Sequence, residues 1–367
     1  MTRPGSPAHT ADAIIVGGGL IGLSCATALA ATGATIILLT ERRPGEASLA
    51  AAGMLAPSVE RSHGEAQRFA VMARDRYPSF LARIEDATGV RVPLNQDGIL
   101  ELAPDEAHGS RLRDGLPAAS TWLTPDELHR VEPTLRETAG AALHPHDGSV
   151  DNPLLLDALR LMLDGISRVR IAPARATAMS LLRSQTLRVH SAHGEAYEAP
   201  YVVLAPGSWV GELSGVPRAL PVEPVRGQMV ALRGTAPHHV IYGPQGYLVP
   251  RGASLTLSGS TMERVGFHHG TTTEGIEALK RSAAAISPAL ERADVHSQWS
   301  GFRPMTPDGL PIIDREPDHP ALIYACGHSR NGILLAPLTG ECVTAMITGA
   351  PLPESIAPFA VTRFRGR

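Results

Sequence analysis

The sequence has few aromatic residues, few cysteines, a single lysine and no excess charge of either sign. Aromatic side chains make up 4% of 367 residues. Three tryptophans, Trp122, Trp209 and Trp299, are too few for base-stacking platforms. Arginine plus lysine number 33 and aspartate plus glutamate 36, so the net charge is −3. The basic footprint of a nucleic-acid binder is therefore missing. The three cysteines, Cys25, Cys326 and Cys342, show neither CxxC nor zinc spacing. This argues against a disulfide framework or a structural zinc and fits a reducing compartment. Clustered histidines occur at His144 and His146, His238-His239 and His268-His269. None has helix-spaced ligand geometry such as HExxH, so they read as loop residues and no metal is expected. Ser208 follows Pro206-Gly207 and not a GxSxG elbow, which argues against a serine hydrolase. What is present is a chain 43% hydrophobic, long enough for a sizeable core and for about two domains.

From Ala13 to Thr40 no residue is charged, and Arg3 lies upstream. A signal peptide or anchor is the naive reading. Against it stand Gly17, Gly18, Gly19, Gly22 and Gly33, and a pattern that divides as strand, turn, helix, turn, strand. Asp12–Val16 reads as a buried strand, Gly19–Thr32 as a helix and Thr35–Leu39 as a second strand. Together they form a βαβ unit with a parallel pair. The first eleven residues read as a loose tail. A long helix is expected over about Glu65–Thr88. Thr124-Pro125-Asp126-Glu127 is a capping box opening a short helix, and Asn152-Pro153 opens another. Strands follow through the middle, with a helix over Glu274–Ile286 and a last one over Ile333–Thr348. No clear linker appears, so the two domains are expected to be interwoven.

Gly17-Gly18-Gly19-Leu20-Ile21-Gly22 matches GxGxxG between a predicted strand and helix. The first glycine makes the turn, the second lets backbone N–H groups approach a pyrophosphate, and the third lets helix and strand pack. The alternative is a structural glycine turn. An acidic residue is expected about 20 residues on, where Thr40 stands, with Glu41 next. Either Glu41 reaches the ribose hydroxyls or Thr40 makes a neutral contact. Arg42 and Arg43 could hold a 2′-phosphate or lie in an exposed turn. The small residues Ala50–Pro57 could admit a planar ring or serve helix packing. Arg303, at the end of an apolar strand, and Arg330, in a polar turn before a helix, suit a carboxylate or a structural ion pair. The helix start after Asn331 offers free N–H groups to negative charge.

In these blocks, above all Gly327-His328-Ser329-Arg330-Asn331-Gly332-Ile333-Leu334-Leu335-Ala336-Pro337, the chain resembles the glycine oxidases of thiamine biosynthesis. These belong to the D-amino-acid and sarcosine oxidase class of flavoproteins. The resemblance spans nearly the whole chain. It implies an α/β fold in which a Rossmann-type FAD-binding domain with a parallel sheet (1–88, 140–219 and 299–367) is interwoven with an α+β substrate domain. The latter (89–139 and 220–298) carries a large antiparallel sheet. The resemblance also implies substrate contacts from Arg303, Arg330, Tyr247 and Met262, and from Gln245 at a position that can hold histidine. FAD contacts fall on Gly17, Gly19, Leu20, Ile21, Gly22, Thr40, Glu41, Ala47, Ser48, Ala52, Gly53, Met54, Ala174 and Gly207. On the ring side they fall on His328, Ser329, Arg330, Asn331, Gly332, Ile333 and Leu334. Sarcosine-type relatives attach flavin through a cysteine near the equivalent of Gly301 and carry a lysine where Leu334 stands. Neither residue occurs here, so noncovalent FAD is expected.

The implied reaction is oxidative deamination of glycine, giving an imine, then glyoxylate, ammonia and hydrogen peroxide, with no catalytic acid or base. The imine could instead feed thiazole synthesis. Rival readings are a broader D-amino-acid or sarcosine oxidase and a dehydrogenase using another electron acceptor. A flavoprotein that modifies tRNA, or a module without catalysis, is opposed by the net charge and by Arg303 and Arg330. The expected setting is a cytoplasmic homo-oligomer acting on a small amino acid and oxygen, with no nucleic acid or membrane partner.

Overall fold

The computed structural model describes residues 8–182, 186–235 and 237–364. Most of the loose tail expected at the start lies outside the described residues. His9–Thr10, within that expected tail, instead pair in parallel with Ala196–Ala199.

Short runs of Ile, Leu and Val form strands Ala13–Val16, Ile36–Leu39 and Tyr201–Leu204, buried on both faces. They sit in a six-stranded sheet ordered Val169–Ala172, Ile36–Leu39, Ala13–Val16, Tyr201–Leu204, His319–Cys326, Ile312–Glu316. Neighbours are parallel except the last pair. Alternation along the strands splits the core. Ile15, Leu38, Val203 and Ile323 face the helical side, while Ile14, Ile37, Val202 and Leu322 face the other. Helix Leu20–Ala30 packs on helix Gly332–Thr348 through small residues. A Cβ at Gly340 would come within 2.6 Å of the Ser24 carbonyl oxygen.

An eight-stranded sheet stands beside the first, ordered Asp294–Met305, Glu223–Arg233, Leu255–Gly259, Gly246–Pro250, Val240–Gly243, Ile99–Ala103, Gly140–His144, Thr121–Leu123. One face, with Val230, Ile241 and Leu248, is covered by helix Thr273–Ile286. The opposite face, with Met229, Ala231, Val249 and Leu257, meets Ala52, Ala56 and Val59. Smaller sheets of four and three strands flank the two large ones.

The fold is thus the mixed α/β class expected, with the chain crossing repeatedly between its parts. Details differ. Strand Gly140–His144 belongs to the eight-stranded sheet, although 140–219 was assigned to the FAD-binding part. Strand Asp294–Met305 runs through the expected boundary at 299. The single helix expected over Glu65–Thr88 is two, Gly64–Asp75 and Tyr77–Thr88. Pro78 has no N–H to continue the ladder to Arg74, so the chain turns there. The capping box forms as read, with the Thr124 hydroxyl accepting from Glu127 N–H and the Glu127 carboxylate from Thr124 N–H.

Candidate functional site

A cavity of about 460 Å³ opens where the carboxyl ends of the parallel strands meet the eight-stranded sheet. Val16, Leu39, Ala205 and Cys326 line it from four strand ends, the usual place for ligands in such sheets.

One wall is mostly backbone. Gly17 has φ +109°, and a Cβ there would strike the Ala205 carbonyl. A Cβ at Gly22 would strike the Gly17 carbonyl. Both positions therefore require glycine, and the turn lines the cavity at the start of helix Leu20–Ala30. Ser48 Oγ accepts from Leu20 N–H at 3.0 Å. Thr40 packs its side chain on Gly18, and Glu41 pairs with Arg175 at 3.2 Å. All six of these residues line the cavity. Arg43 pairs with Glu212 at 2.7 Å and lies 4.5 Å over Trp209, so its charge is already engaged. Arg42 is exposed and lies within 4 Å of Glu46 and Asp157.

The small-residue run lines the cavity with Ala50, Ala51, Ala52, Gly53, Met54 and Ala56. It is held from behind by the partly buried Arg251, which donates to the carbonyls of Ala52 (2.7 Å) and Val150 (3.1 Å). Ala47, Ala174 and Gly207 line the same wall. At the far end Gly327, with φ +66°, and Ser329, with φ +50°, bend the chain into helix Gly332–Thr348. Asn331 leaves the helix without a side-chain cap, so the first N–H groups face the cavity end. His328 is buried there, and burial pulls its pKa down to about 3, so the imidazole is neutral. His328 Nε2 lies 3.2 Å from Thr339 Oγ1. Two residues expected to contact a cofactor do not line the cavity. Leu334 is buried in the core, and Gly22 acts through Gly17.

The other wall is made of side chains on the eight-stranded sheet. Arg303 is held by the Thr261 carbonyl at 3.1 Å and by Ser260 Oγ. Among the described residues no carboxylate forms an ion pair with it. Burial lowers its pKa, with Arg330 adding to that and Tyr247 opposing it. Gly227 opens the slot for this guanidinium, since a Cβ would strike it. The Tyr247 hydroxyl donates to Met229 Sδ at 3.3 Å, and burial raises its pKa, keeping it protonated. Gly259 makes room for that hydroxyl. Arg330 differs from Arg303: it pairs with Glu60. Gln245 and the 57% exposed Met262 lie at the rim. Glu60, Gly227, Gly259 and Ser260 escaped the sequence reading. Glycine inside a strand, at 227, was the one available signal, since it marks a close approach.

Among the described residues no group of three or more His, Cys, Asp or Glu could hold a metal, and no helix is long and apolar enough to cross a membrane.

The family model described as DAO, FAD dependent oxidoreductase, matches residues 12–346. The "Bifunctional protein ThiO/ThiG" of Synechocystis sp. is 36% identical over 367 residues, covering 97% of this chain and 54% of that protein. The chain thus spans about half the length of the curated relatives it matches first. The "Glycine oxidase" of Geobacillus kaustophilus is 32% identical over 374 residues and covers 98% of both chains. The crystal structure of glycine oxidase from Geobacillus kaustophilus superposes with a TM-score of 0.90 at 31% identity, covering 98% of this chain and 100% of that one.

Proposed function

The chain belongs to the DAO family of FAD-dependent oxidoreductases, and from that membership we propose that it oxidises glycine to its imine. The observation that carries this reading is Arg303, a partly buried guanidinium on the cavity wall whose hydrogen-bond partners are all neutral. A cation facing a cavity without an anionic hydrogen-bond partner is suited to a carboxylate.

The backbone wall fits FAD. The glycine turn at Gly17–Gly22 would take the pyrophosphate, with Thr40 and Glu41 beside the ribose. Ala52, Gly53 and Met54 would flank the ring. The uncapped helix start at Gly332–Ile333 would favour negative charge developing on the ring. FAD, when bound, supplies the two-electron oxidant and, through oxygen, releases hydrogen peroxide. Cys326 lines the cavity, but burial pushes its thiol up to about 12, which supports noncovalent attachment.

The residues of this chain bind and orient. Arg303 takes the substrate carboxylate, and the protonated Tyr247 hydroxyl donates to it. Fixing the carboxylate aims the Cα–H bond, so catalysis here is proximity and orientation. The Arg330–Glu60 pair supplies a second boundary without adding net charge. No side chain is assigned as acid or base.

The similarity to proteins named ThiO/ThiG and glycine oxidase supports supply of the imine to thiazole formation, with glyoxylate and ammonia as its hydrolysis products. The half-open rim at Met262 favours a second reading, acceptance of sarcosine or small D-amino acids. On either reading the small-molecule partners are the amino acid and oxygen, in a cytoplasmic homo-oligomer whose subunit number light scattering would measure. Anaerobic glycine should bleach the flavin absorbance of the purified protein, and oxygen should restore it with peroxide. Unchanged absorbance would sink the proposal, and comparing kcat/KM for glycine, sarcosine and D-alanine separates the two readings.

A further inference from the structure

Helix Gly332–Thr348 carries Pro337 inside it. Proline has no N–H, so the carbonyl of Ile333, four residues earlier, cannot receive its helical hydrogen bond. Ile333 sits in the first turn, beside Gly332 and Asn331 on the cavity wall, and is itself buried. An unpaired carbonyl there would be costly and would let the first turn unwind toward the cavity. The missing donor comes from 256 residues away. The phenol of Tyr77, 1% exposed, donates to the Ile333 carbonyl. Burial raises the Tyr77 pKa, so the hydroxyl keeps its proton and stays a donor.

Tyr77 opens the second of the two helices that Pro78 separates, so the break places its side chain. The preceding residue grips the same long helix two turns further on, Arg76 Nε lying 3.1 Å from Glu341 Oε2. Phe80 packs edge-on against the Tyr77 ring at 6.1 Å. The helix junction at 76–77 is therefore a two-point clamp, and one of its points falls on the turn that walls the cavity.

We propose that Tyr77 is a positioning residue, which by replacing the hydrogen bond that Pro337 removes holds the N–H groups of Gly332–Leu334 in register for the bound flavin. It touches neither substrate nor cofactor. This rests on the reading of that helix start as the flavin end of the cavity.

The test uses Tyr77→Phe, Pro337→Ala and the double variant as holoproteins. The dissociation constant for FAD and the reduction potential of the bound flavin are measured without amino acid. Tyr77→Phe should raise the FAD dissociation constant about fivefold or more. It should also make the potential more negative, because the positive helix end moves away from the reduced flavin. Pro337→Ala returns an N–H to the Ile333 carbonyl, so the double variant should restore both quantities to within about twofold of the parent. If Tyr77→Phe lowers only the melting temperature, leaving affinity and potential at parental values, the proposal is overturned. Failure of Pro337→Ala to rescue overturns it too. Should Tyr77→Phe alone not fold, the double variant must fold and bind FAD as the parent does, and its failure counts against the proposal. A protein that binds FAD yet ignores glycine would defeat the proposed substrate and leave this test intact.

Discussion

The two walls of the cavity recognise by different means. The wall on the parallel sheet uses main chain: Gly17, Gly53 and Gly327 at positive φ, and two helix starts whose N-cap residues make no side-chain cap. The wall on the eight-stranded sheet uses side chains: Arg303, Tyr247 and the Arg330–Glu60 pair. Main chain can approach a large flat group closely and presents the same donors whatever side chains lie behind it. Side chains place charge at one point and select a small ligand by its ends. Damage to the first wall should therefore cost the cofactor, and damage to the second should cost substrate while the cofactor stays.

The largest effect should come from Gly17→Ala. Its Cβ collides with the Ala205 carbonyl, and φ +109° is strained for alanine. Protein should purify with essentially no flavin absorbance, and a full flavin complement would contradict the backbone-wall picture. Next, Arg303→Ala should raise KM for glycine by about 10- to 100-fold, the value of a charged hydrogen-bond partner, with FAD retained. An unchanged KM would remove Arg303 from its role, and loss of FAD would erase the distinction between the walls.

A smaller effect concerns His328, a side chain serving the backbone wall. Its pKa falls from the ordinary 6.5 to about 3 in the folded protein. Between those values the unfolded chain binds the extra proton, so stability rises with pH across this window. Acidification from 6.5 toward 3 costs up to about 1.4 kcal/mol per pH unit. His328→Gln should flatten that part of the pH–stability curve measured by thermal melts; parallel curves would refute the assignment. The smallest effect should be Glu41→Gln. Its ion pair with Arg175 is largely solvent-exposed, 42% and 45% for the two side chains. The FAD dissociation constant should change less than about threefold, as a titration would show. A large change would mean that a side chain governs binding on the wall assigned to main chain.

How much was legible depended on the range of the interaction. The βαβ unit, the glycine turn and the capping box involve neighbours in sequence, so periodicity and spacing revealed them. Strands Ile99–Ala103 and Val240–Gly243 carry no such local signal. They pair with each other across some 140 residues, and neither has a pattern that stands out alone. The pivotal contrast was also invisible. Arg303 and Arg330 both read as a carboxylate ligand or an ion pair, and only the folded chain brings Glu60 to one and leaves the other with neutral partners.

By itself the amino-acid order determined the α/β class, the glycines that a backbone cradle demands and the roster of arginines available to a carboxylate. These follow from local sterics and from hydrophobic period, which act over a few residues. Tertiary structure alone decided which arginine stays uncompensated, that Gly227 opens its slot, and that Tyr77 answers the hydrogen bond lost at Pro337. Each of those joins residues far apart in the chain, and burial, which makes an unpaired charge or carbonyl costly, exists only once the chain has folded.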